Sequence, residues 1–268
     1  MTTLETIRVS PDWLELREGA DAAARSRDLV ALVVDRLAAV DGRLVVHDLG
    51  CGSGAMGRWL APLLPGPQHW ILHDRDPDLL ARAAADGTAV TVETRLSDVI
   101  RLDARELAGA SLITASALLD LLTEDELDGL VEACAGAGCP VLFALSVTGR
   151  VQLLPADPLD SQIAASFDAH QRRTTTRGRL LGPDAVDAAV SAFRRLGAQV
   201  VVRPSPWRLG AAERELAAEW LAGWVDAACE QDPGLRPDAA RYLRRRRREA
   251  AAGCLAVTVG HSDLLVLP

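Results

Sequence analysis

The segment from residue 44 to residue 64 limits the possible folds more than any other part of the chain. Leu44-Val45-Val46 is an apolar run typical of a buried strand, and residues 55–64 have helical spacing. Between them lies Asp48-Leu49-Gly50-Cys51-Gly52-Ser53-Gly54, with glycines at alternate positions. Glycine permits positive φ and a close approach of the backbone to a ligand. In doubly wound α/β sheets this first strand-to-helix turn is where nucleotides bind.

Strand-like and helical stretches alternate along most of the chain. The predicted strands are 44–46, 70–72, 90–94, 112–114, 141–145, 199–202, 255–259 and 264–267. Helices are predicted over 55–64, 78–85, 124–135 and 183–196. Such alternation favours right-handed βαβ units and therefore an α/β fold built on a mostly parallel sheet.

Helical stretches outside this alternation define the domain organisation. Residues 12–40 have helical spacing and precede the first strand, while 147–182 and 205–253 interrupt the pattern later in the chain. No repeat or low-complexity linker separates these parts. We therefore expect residues 1–268 to form one domain, with 1–42 as an amino-terminal helical cover and with two insertions.

Composition excludes several classes of protein. The 268 residues are 49 % hydrophobic and 25 % charged, which indicates a folded globule, and a net charge of −8 disfavours a protein that coats nucleic acid. Long uncharged apolar segments are missing, and Glu5, Arg8 and Asp12 do not fit a secretory leader. The five scattered cysteines indicate buried thiols in a reducing compartment. We therefore expect a cytoplasmic protein without a membrane span.

Two ligand-binding patterns overlap in the glycine turn. Gly52, Gly54 and Gly57 also satisfy the G-x-G-x-x-G pattern of dinucleotide-binding folds. Three acidic residues favour a different ligand, because Asp48, Asp74 and Asp98 each follow a predicted strand. Together they would surround a nucleoside without phosphates, and Asp48 would repel a pyrophosphate.

At these positions the sequence resembles the class I S-adenosylmethionine-dependent methyltransferases. The matching segments are 45–54, Asp74 with Asp76-Pro77, Ser97-Asp98, and the predicted fourth strand with its following loop, 112–120. The resemblance covers about residues 40–202, with 255–267 completing the sheet. It implies a Rossmann-like, doubly wound, mostly parallel sheet of seven strands whose last strand is antiparallel, with helical insertions after strands 5 and 6.

The resemblance also implies S-adenosylmethionine as the cofactor and assigns residues to it. Gly50, Gly52 and Gly54 would line the methionine end, Asp74 the ribose and Asp98 the adenine, with Arg75 beside the ring. Residues 13–26 could fold over the cofactor, where an arginine, Arg17 or Arg25, would pair with the methionine carboxylate; Arg25 is the one included in the cofactor set. The full expected cofactor set is Asp48, Gly50, Cys51, Gly52, Gly54, Asp74, Arg75, Ser97, Asp98, Val99, Ser116 and Arg25.

The residue types present limit the catalytic chemistry. The sequence contains no lysine and no asparagine, so a lysine base and the family's metal site of two aspartates and an asparagine are not expected. We predict metal-independent transfer of a methyl group to an oxygen or nitrogen of a small molecule. His170 and Asp120 are the candidate proton acceptors. Residues 147–182 and 205–253 would supply the acceptor pocket, with Trp207, Arg17 and Gln171 as candidate contacts.

Other functions remain open at this point. Five consecutive arginines, Arg244 to Arg248, allow an RNA methyltransferase, although the negative net charge makes nucleic acid an unfavoured partner. The glycine pattern allows an NAD(P)-dependent oxidoreductase, for which no hydride-transfer partner is evident. A regulatory module that binds the cofactor without turnover is a further alternative. The chain is expected to be a monomer or homodimer.

Overall fold

A computed structural model describes residues 9–83 and 90–268. Helices and strands alternate along the chain, as the hydrophobic pattern predicts. In chain order the elements are α1 Pro11–Ala24, α2 Arg27–Leu37, β1 Leu44–Leu49, α3 Ala55–Leu60, β2 Gln68–Asp74, α4 Pro77–Ala83, β3 Val90–Leu96, β4 Leu112–Ser116, α5 Glu124–Gly136, β5 Val141–Leu154, α6 Asp160–Gln171, β6 Thr174–Thr175, β7 Gly178–Arg179, α7 Ala185–Arg195, β8 Gln199–Pro204, β9 Trp207–Leu209, α8 Arg214–Gln231, α9 Arg236–Ala251 and β10 Ala256–Leu267.

The central sheet has the strand order β3-β2-β1-β4-β5-β10-β8. Strands β1 to β5 pair in parallel, and β10 is antiparallel to both β5 and β8. The α/β fold class predicted from the sequence is confirmed. Because parallel strands end at one edge, the loops after β1, β2, β3 and β4 meet there.

The sheet differs from the prediction in three respects. It has eight strands in the described residues, not seven, because the short β9 pairs with the first half of β10. The stretches 255–259 and 264–267 belong to one strand, β10, with irregular register near His261 and Ser262. Strand β5 continues to Leu154, so the first insertion begins inside a strand. Of the expected helix 78–85, residues 84 and 85 lie outside the described residues.

The amino-terminal helix is broken where a single helix was expected. α1 ends at Ala24, and α2 begins after Ser26, whose hydroxyl accepts a hydrogen bond from Leu29 N. The backbone N–H of Ser26 donates to the buried carboxylate of Asp263 on β10, at 2.7 Å. That carboxylate also accepts from Leu145 N at 2.8 Å and from the Ser205 hydroxyl at 2.5 Å. The break turns the chain at Arg25 towards the edge where the parallel strands end.

Three apolar clusters stabilise the molecule. Alternation along β4 and β5 sends Ile113 and Phe143 to one face, under α5 and α7, and Leu112 and Leu142 to the other, under α2 and α3. The third cluster lies in what we call the cap, formed by α1, α6, α8, α9, β9 and the outer halves of β5 and β10. The cap therefore has an apolar core of its own.

Within residues 9–83 and 90–268, no helix combines the length and the apolarity needed to cross a bilayer. The same ranges contain no group of three or more His, Cys, Asp or Glu side chains arranged to hold a metal ion.

Candidate functional site

A cavity of about 440 Å³ lies at the edge where the parallel strands end. Its floor is the glycine turn after β1, and its roof is α1. Leu14 of α1 approaches so closely that a Cβ on Gly52 would lie 3.3 Å from its Cδ1 atom. The predicted cofactor residues among those that line it are Asp48, Gly50, Cys51, Gly52, Asp74, Arg75, Ser97, Asp98, Val99, Ser116 and Arg25. The structure thus brings together most of the expected set.

The glycine turn holds Asp74 in place. Gly52 has φ +55°, a left-handed conformation in which its backbone N–H donates to Asp74 Oδ2 at 2.8 Å. The N–H of Asp76 donates to Asp74 Oδ1 at 2.9 Å. Each carboxylate oxygen keeps a free lone pair, so Asp74 can accept two further hydrogen bonds from a ligand.

Asp48 is a buried carboxyl with one unused oxygen. It is 1 % exposed, and its Oδ1 accepts from the Thr114 hydroxyl at 2.8 Å. Its Oδ2 is buried and has no hydrogen-bond partner in the described part of the chain. Burial raises the pKa of Asp48 to about 7, an effect that the Thr114 bond and the nearby Arg25 guanidinium partly offset. An unpaired buried oxygen is costly unless a ligand pairs with it.

Arg25 is the complementary buried cation. Its side chain is 3 % exposed, at the break between α1 and α2, and its Nη2 donates to Ser116 Oγ at 3.2 Å. Its guanidinium lies 5.3 Å from the centre of the Trp59 ring and 3.9 Å from Asp21. Nε and Nη1 have no partner among residues 9–83 and 90–268. The cavity therefore offers unused donors and an unused acceptor, and the Arg25 cation is near enough to lower the pKa of Asp48.

Beside Asp98 the cavity is lined by apolar side chains. Asp98 caps the short 3-10 turn of residues 99–101, where its carboxylate accepts from Ile100 N at 3.4 Å. Leu79, Val99 and Ile100 supply apolar surface beside it. This end can receive a planar ring, with Asp98 as an acceptor for a ring amino group.

The loop after β4 carries backbone strain. Ala117 has φ +52°, which is unusual for a residue with a side chain, and its N–H donates to Ala144 O at 2.9 Å. Ala117 lines the cavity next to Ser116 and Leu118. Strain of this kind is concentrated at ligand-binding sites.

Five predicted residues are not among the described residues that line the cavity. Gly54 caps α3, and a Cβ there would meet Ala83. His170 contacts Glu230 at 3.0 Å, between α6 and α8, and Gln171 follows it and packs against Gly182. Trp207 is 3 % exposed in the cap, and Asp120 is half-buried in the 3-10 turn that separates the lining residues Leu118 and Leu121.

Arg17 lines the cavity, and two buried side chains hold it there. Its Nε and Nη2 donate to the two oxygens of Asp21, at 3.0 and 3.2 Å, and its guanidinium lies 4.9 Å from the Trp207 ring centre. Trp207 Nε1 donates to Asp21 Oδ1 at 2.9 Å. Trp207 thus reaches the site through Asp21.

Sequence reasoning missed Asp21, Thr114, Ala117 and Arg177. Asp21 stands four residues from both Arg17 and Arg25, a helical spacing that could have revealed it. Thr114 and Ala117 belong to a segment already assigned to the site. No pattern near Arg177 in the sequence predicts that it lines the cavity. The β6–β7 hairpin places it there, where its Nη1 donates to the Glu126 carboxylate at 2.6 Å.

Comparisons with known proteins agree with this architecture. No protein-family model matches the sequence, and no curated protein matches it either. Among solved structures, the cyclopropane synthase MmaA2 from Mycobacterium tuberculosis superposes with a TM-score of 0.53 at 13 % identity, covering 97 % of this chain and 95 % of that one. The mycolic acid cyclopropane synthase CmaA1, in a complex with SAH and CTAB, gives 0.51 at 14 % identity, covering 95 % and 94 %.

At such low identities the likeness establishes the fold alone. The chain has the fold of the class I S-adenosylmethionine-dependent methyltransferases, and the resemblance predicted from the sequence is confirmed at that level.

Proposed function

We propose that this chain is a methyltransferase that binds S-adenosylmethionine in the cavity and transfers the methyl group to an oxygen or nitrogen of a small molecule. The observation that carries the proposal is that one cavity contains both a buried Asp48 oxygen and two buried Arg25 nitrogens that have no hydrogen-bond partner in the described part of the chain. One accepts and the other donates, next to a glycine turn and a second strand that ends in Asp74. An amino acid joined to a nucleoside has the chemistry that fits this arrangement.

The amino-acid part of the cofactor matches the buried charges. Asp48 Oδ2 would accept from the ammonium group, and Nε and Nη1 of Arg25 would donate to the carboxylate. Ser116 and Asp21 contact Arg25 through Nη2 alone, which leaves Nε and Nη1 for the ligand. Neither buried group could stay unpaired without a substantial free-energy cost, so a zwitterionic ligand relieves both.

The nucleoside part matches the other end. Asp74, fixed by two backbone N–H groups, keeps free lone pairs for the two ribose hydroxyls. Asp98 would accept from the adenine amino group, and Leu79, Val99 and Ile100 would contact the ring. A pyrophosphate at the glycine turn would face Asp48 and Asp74, which argues against a dinucleotide.

When bound, S-adenosylmethionine would supply an electrophilic methyl group, and S-adenosylhomocysteine would be the thioether that leaves as the acceptor takes the methyl group. The protein's own contribution is positioning, exclusion of water and proton removal. Asp120 is the better candidate base, because burial raises the pKa of its carboxyl and its neighbours Leu118 and Leu121 line the cavity. The Arg17 and Arg173 cations partly offset this rise in the pKa of Asp120. His170, held by Glu230 between α6 and α8, is the second candidate.

The arginine run supports a small acceptor over RNA. Arg246 is buried and bonded to Asp160 and Glu249, and Arg245 pairs with Asp157. Arg245 and Arg246 thus stabilise the cap and are not available to a nucleic acid. The dimensions of the cavity are those of a small-molecule site.

Calorimetric titration tests the proposal directly. We expect S-adenosylmethionine and its demethylated product, S-adenosylhomocysteine, to bind at one site per chain, and NADH to give no heat. Tight NADH binding without binding of either adenosyl compound would overturn the proposal. Asp78→Ala, in the exposed first turn of α4, is a matched control for the aspartate variants described below.

A further inference from the structure

A chain of hydrogen bonds connects three strand ends beside the cavity. His47 Nδ1 lies 3.0 Å from His73 Nε2, and His73 Nδ1 lies 3.0 Å from Ser97 Oγ. Both histidines are buried, with ring centres 5.2 Å apart. Ser97 lines the cavity. Each of the three residues directly precedes an aspartate of the proposed cofactor site.

Neutral histidines give this chain a direction. Burial lowers the pKa of both imidazoles to about 4, and the Arg95 cation adds to the effect. Each ring therefore has one N–H donor and one acceptor nitrogen near pH 7. If His47 Nδ1 donates to His73 Nε2, then His73 Nδ1 carries a hydrogen and donates to Ser97 Oγ. In the opposite direction, Ser97 would give its own hydrogen to His73.

The ligand chemistry distinguishes the two directions. With the adenine amino group accepted by Asp98, the ring nitrogens that remain are acceptors, so Ser97 must donate to contact one of them. Arg95 O is an alternative acceptor for its hydrogen within the described ranges, but at 3.5 Å it lies at the outer limit of a hydrogen bond.

We propose that His47 and His73 are positioning residues that donate towards Ser97 and so leave its hydroxyl hydrogen free for a ring nitrogen of the adenine. This rests on the proposed function, because it assumes that the nucleoside lies at this end of the cavity. His73 occupies a lone pair of Ser97 Oγ, and His47 fixes the tautomer of His73. The pair thereby selects a purine by its ring nitrogen without carrying charge.

A matched pair of variants tests the direction of the chain. His47→Asn places an amide near the original Nδ1 and can still donate to His73. His47→Asp places an acceptor there, so His73 donates to position 47 and takes the hydrogen of Ser97, as histidine does in a Ser-His-Asp triad. His69→Asn is the control, because His69 bonds Thr91 in the same way, at 2.8 Å, from the exposed side of β2.

The readout is binding of S-adenosylhomocysteine and its 1-deaza, 3-deaza and 7-deaza analogues. In the wild type one analogue should bind about three- to tenfold more weakly than the parent compound, the loss expected for one hydrogen bond. His47→Asn and His69→Asn should keep that ratio. Ser97→Ala and His47→Asp should reduce it to less than about twofold. An undiminished ratio in His47→Asp would overturn the proposal.

Nitrogen-15 NMR of the wild type provides a test that does not depend on variant folding. We expect His47 and His73 both to be the Nδ1–H tautomer, and an Nε2–H tautomer at His73 would overturn the inference. If no adenosyl compound binds the wild type, the proposed function fails, whereas the tautomers still report the direction of the chain.

Discussion

The two ends of the cavity are built in different ways. The proposed cofactor end uses residues at the ends of β1, β2 and β3, such as Asp48, Asp74 and Asp98. The proposed acceptor end uses α1, the turn that holds Asp120, and the β6–β7 hairpin, which are distant in sequence. The position of the first end follows from the strand ends, whereas the second depends on contacts between segments that are far apart in sequence. This contrast explains how a fold can keep its cofactor site while its acceptor site varies.

Asp120→Asn tests the acceptor end and should have the largest effect. Removing a general base should lower methyl transfer by about 10²- to 10⁴-fold, with little change in S-adenosylhomocysteine affinity. The measurement is transfer of a labelled methyl group to an acceptor found by screening small hydroxylated and aminated compounds. His170→Gln is the comparison. A larger loss in that variant than in Asp120→Asn would move the proton acceptor to α6.

Arg25→Ala tests the cofactor end where the cover meets it. The variant removes the buried guanidinium that would pair with the ligand carboxylate, which should weaken S-adenosylhomocysteine binding roughly a hundredfold. The variant should also no longer distinguish S-adenosylmethionine from its decarboxylated analogue, because the discriminating cation is gone. Arg27→Ala, exposed at the start of α2, should behave like the wild type in the same titration. Retained discrimination in Arg25→Ala would exclude its contact with the carboxylate.

Asp74→Ala should have the next largest effect. The ribose hydroxyls lose their carboxylate acceptor, and a hydrogen bond to a charged group is worth about 1.5–3 kcal/mol, or roughly ten- to 150-fold in affinity. A 2′-deoxy analogue of S-adenosylhomocysteine should lose less affinity in the variant than in the wild type. Equal losses in both proteins would remove Asp74 from the ribose site, and Asp78→Ala provides the baseline.

The pH dependence of Asp48 should be the mildest effect. The ammonium requires the ionised carboxyl, so affinity should rise by at most about tenfold per pH unit up to the pKa of about 7 and then level. The unliganded protein should behave in the opposite sense. The pKa of Asp48 is raised from 3.8 in the folded state, so between about pH 4 and 7 the folded state holds a proton that the unfolded state has lost. The free energy of unfolding therefore falls as the pH rises through this range. Arg25, Asp74 and Thr114 also face this carboxyl.

Asp48→Asn serves as the control for both trends. Calorimetric titrations and thermal melts at several pH values, compared with the wild type, isolate the contribution of this one group. If the wild-type profile persists in Asp48→Asn, another group is responsible for it.

The features that could be predicted from the sequence are those determined by residues close together in the chain. Strand β1, the glycine turn and Asp74 follow from apolar runs and turn chemistry over a few residues. Asp98 follows from the same reasoning applied to β3. Each of these features depends on neighbours in sequence, which is why they could be found without the structure.

Long-range contacts account for the rest. The break at Arg25 depends on Ser26 donating to Asp263, and the added strand β9 depends on pairing with β10. Tryptophan is a residue type common in ligand pockets, yet the Trp207 indole N–H donates to Asp21, 186 positions earlier. No period or motif encodes such pairs. The donor and acceptor roles along His47 and His73 were equally hidden, because each histidine alone resembles an ordinary core residue.

The Asp263 carboxylate has a consequence for biosynthesis. It holds the start of α2 across 237 positions of sequence, so α2 is translated well before its partner. Chains emerge from the ribosome amino-terminus first, so the turn that aims Arg25 must wait for β10 to be synthesised. Nascent chains would then acquire their ligand-binding competence late and in one step, rather than gradually as each strand is added.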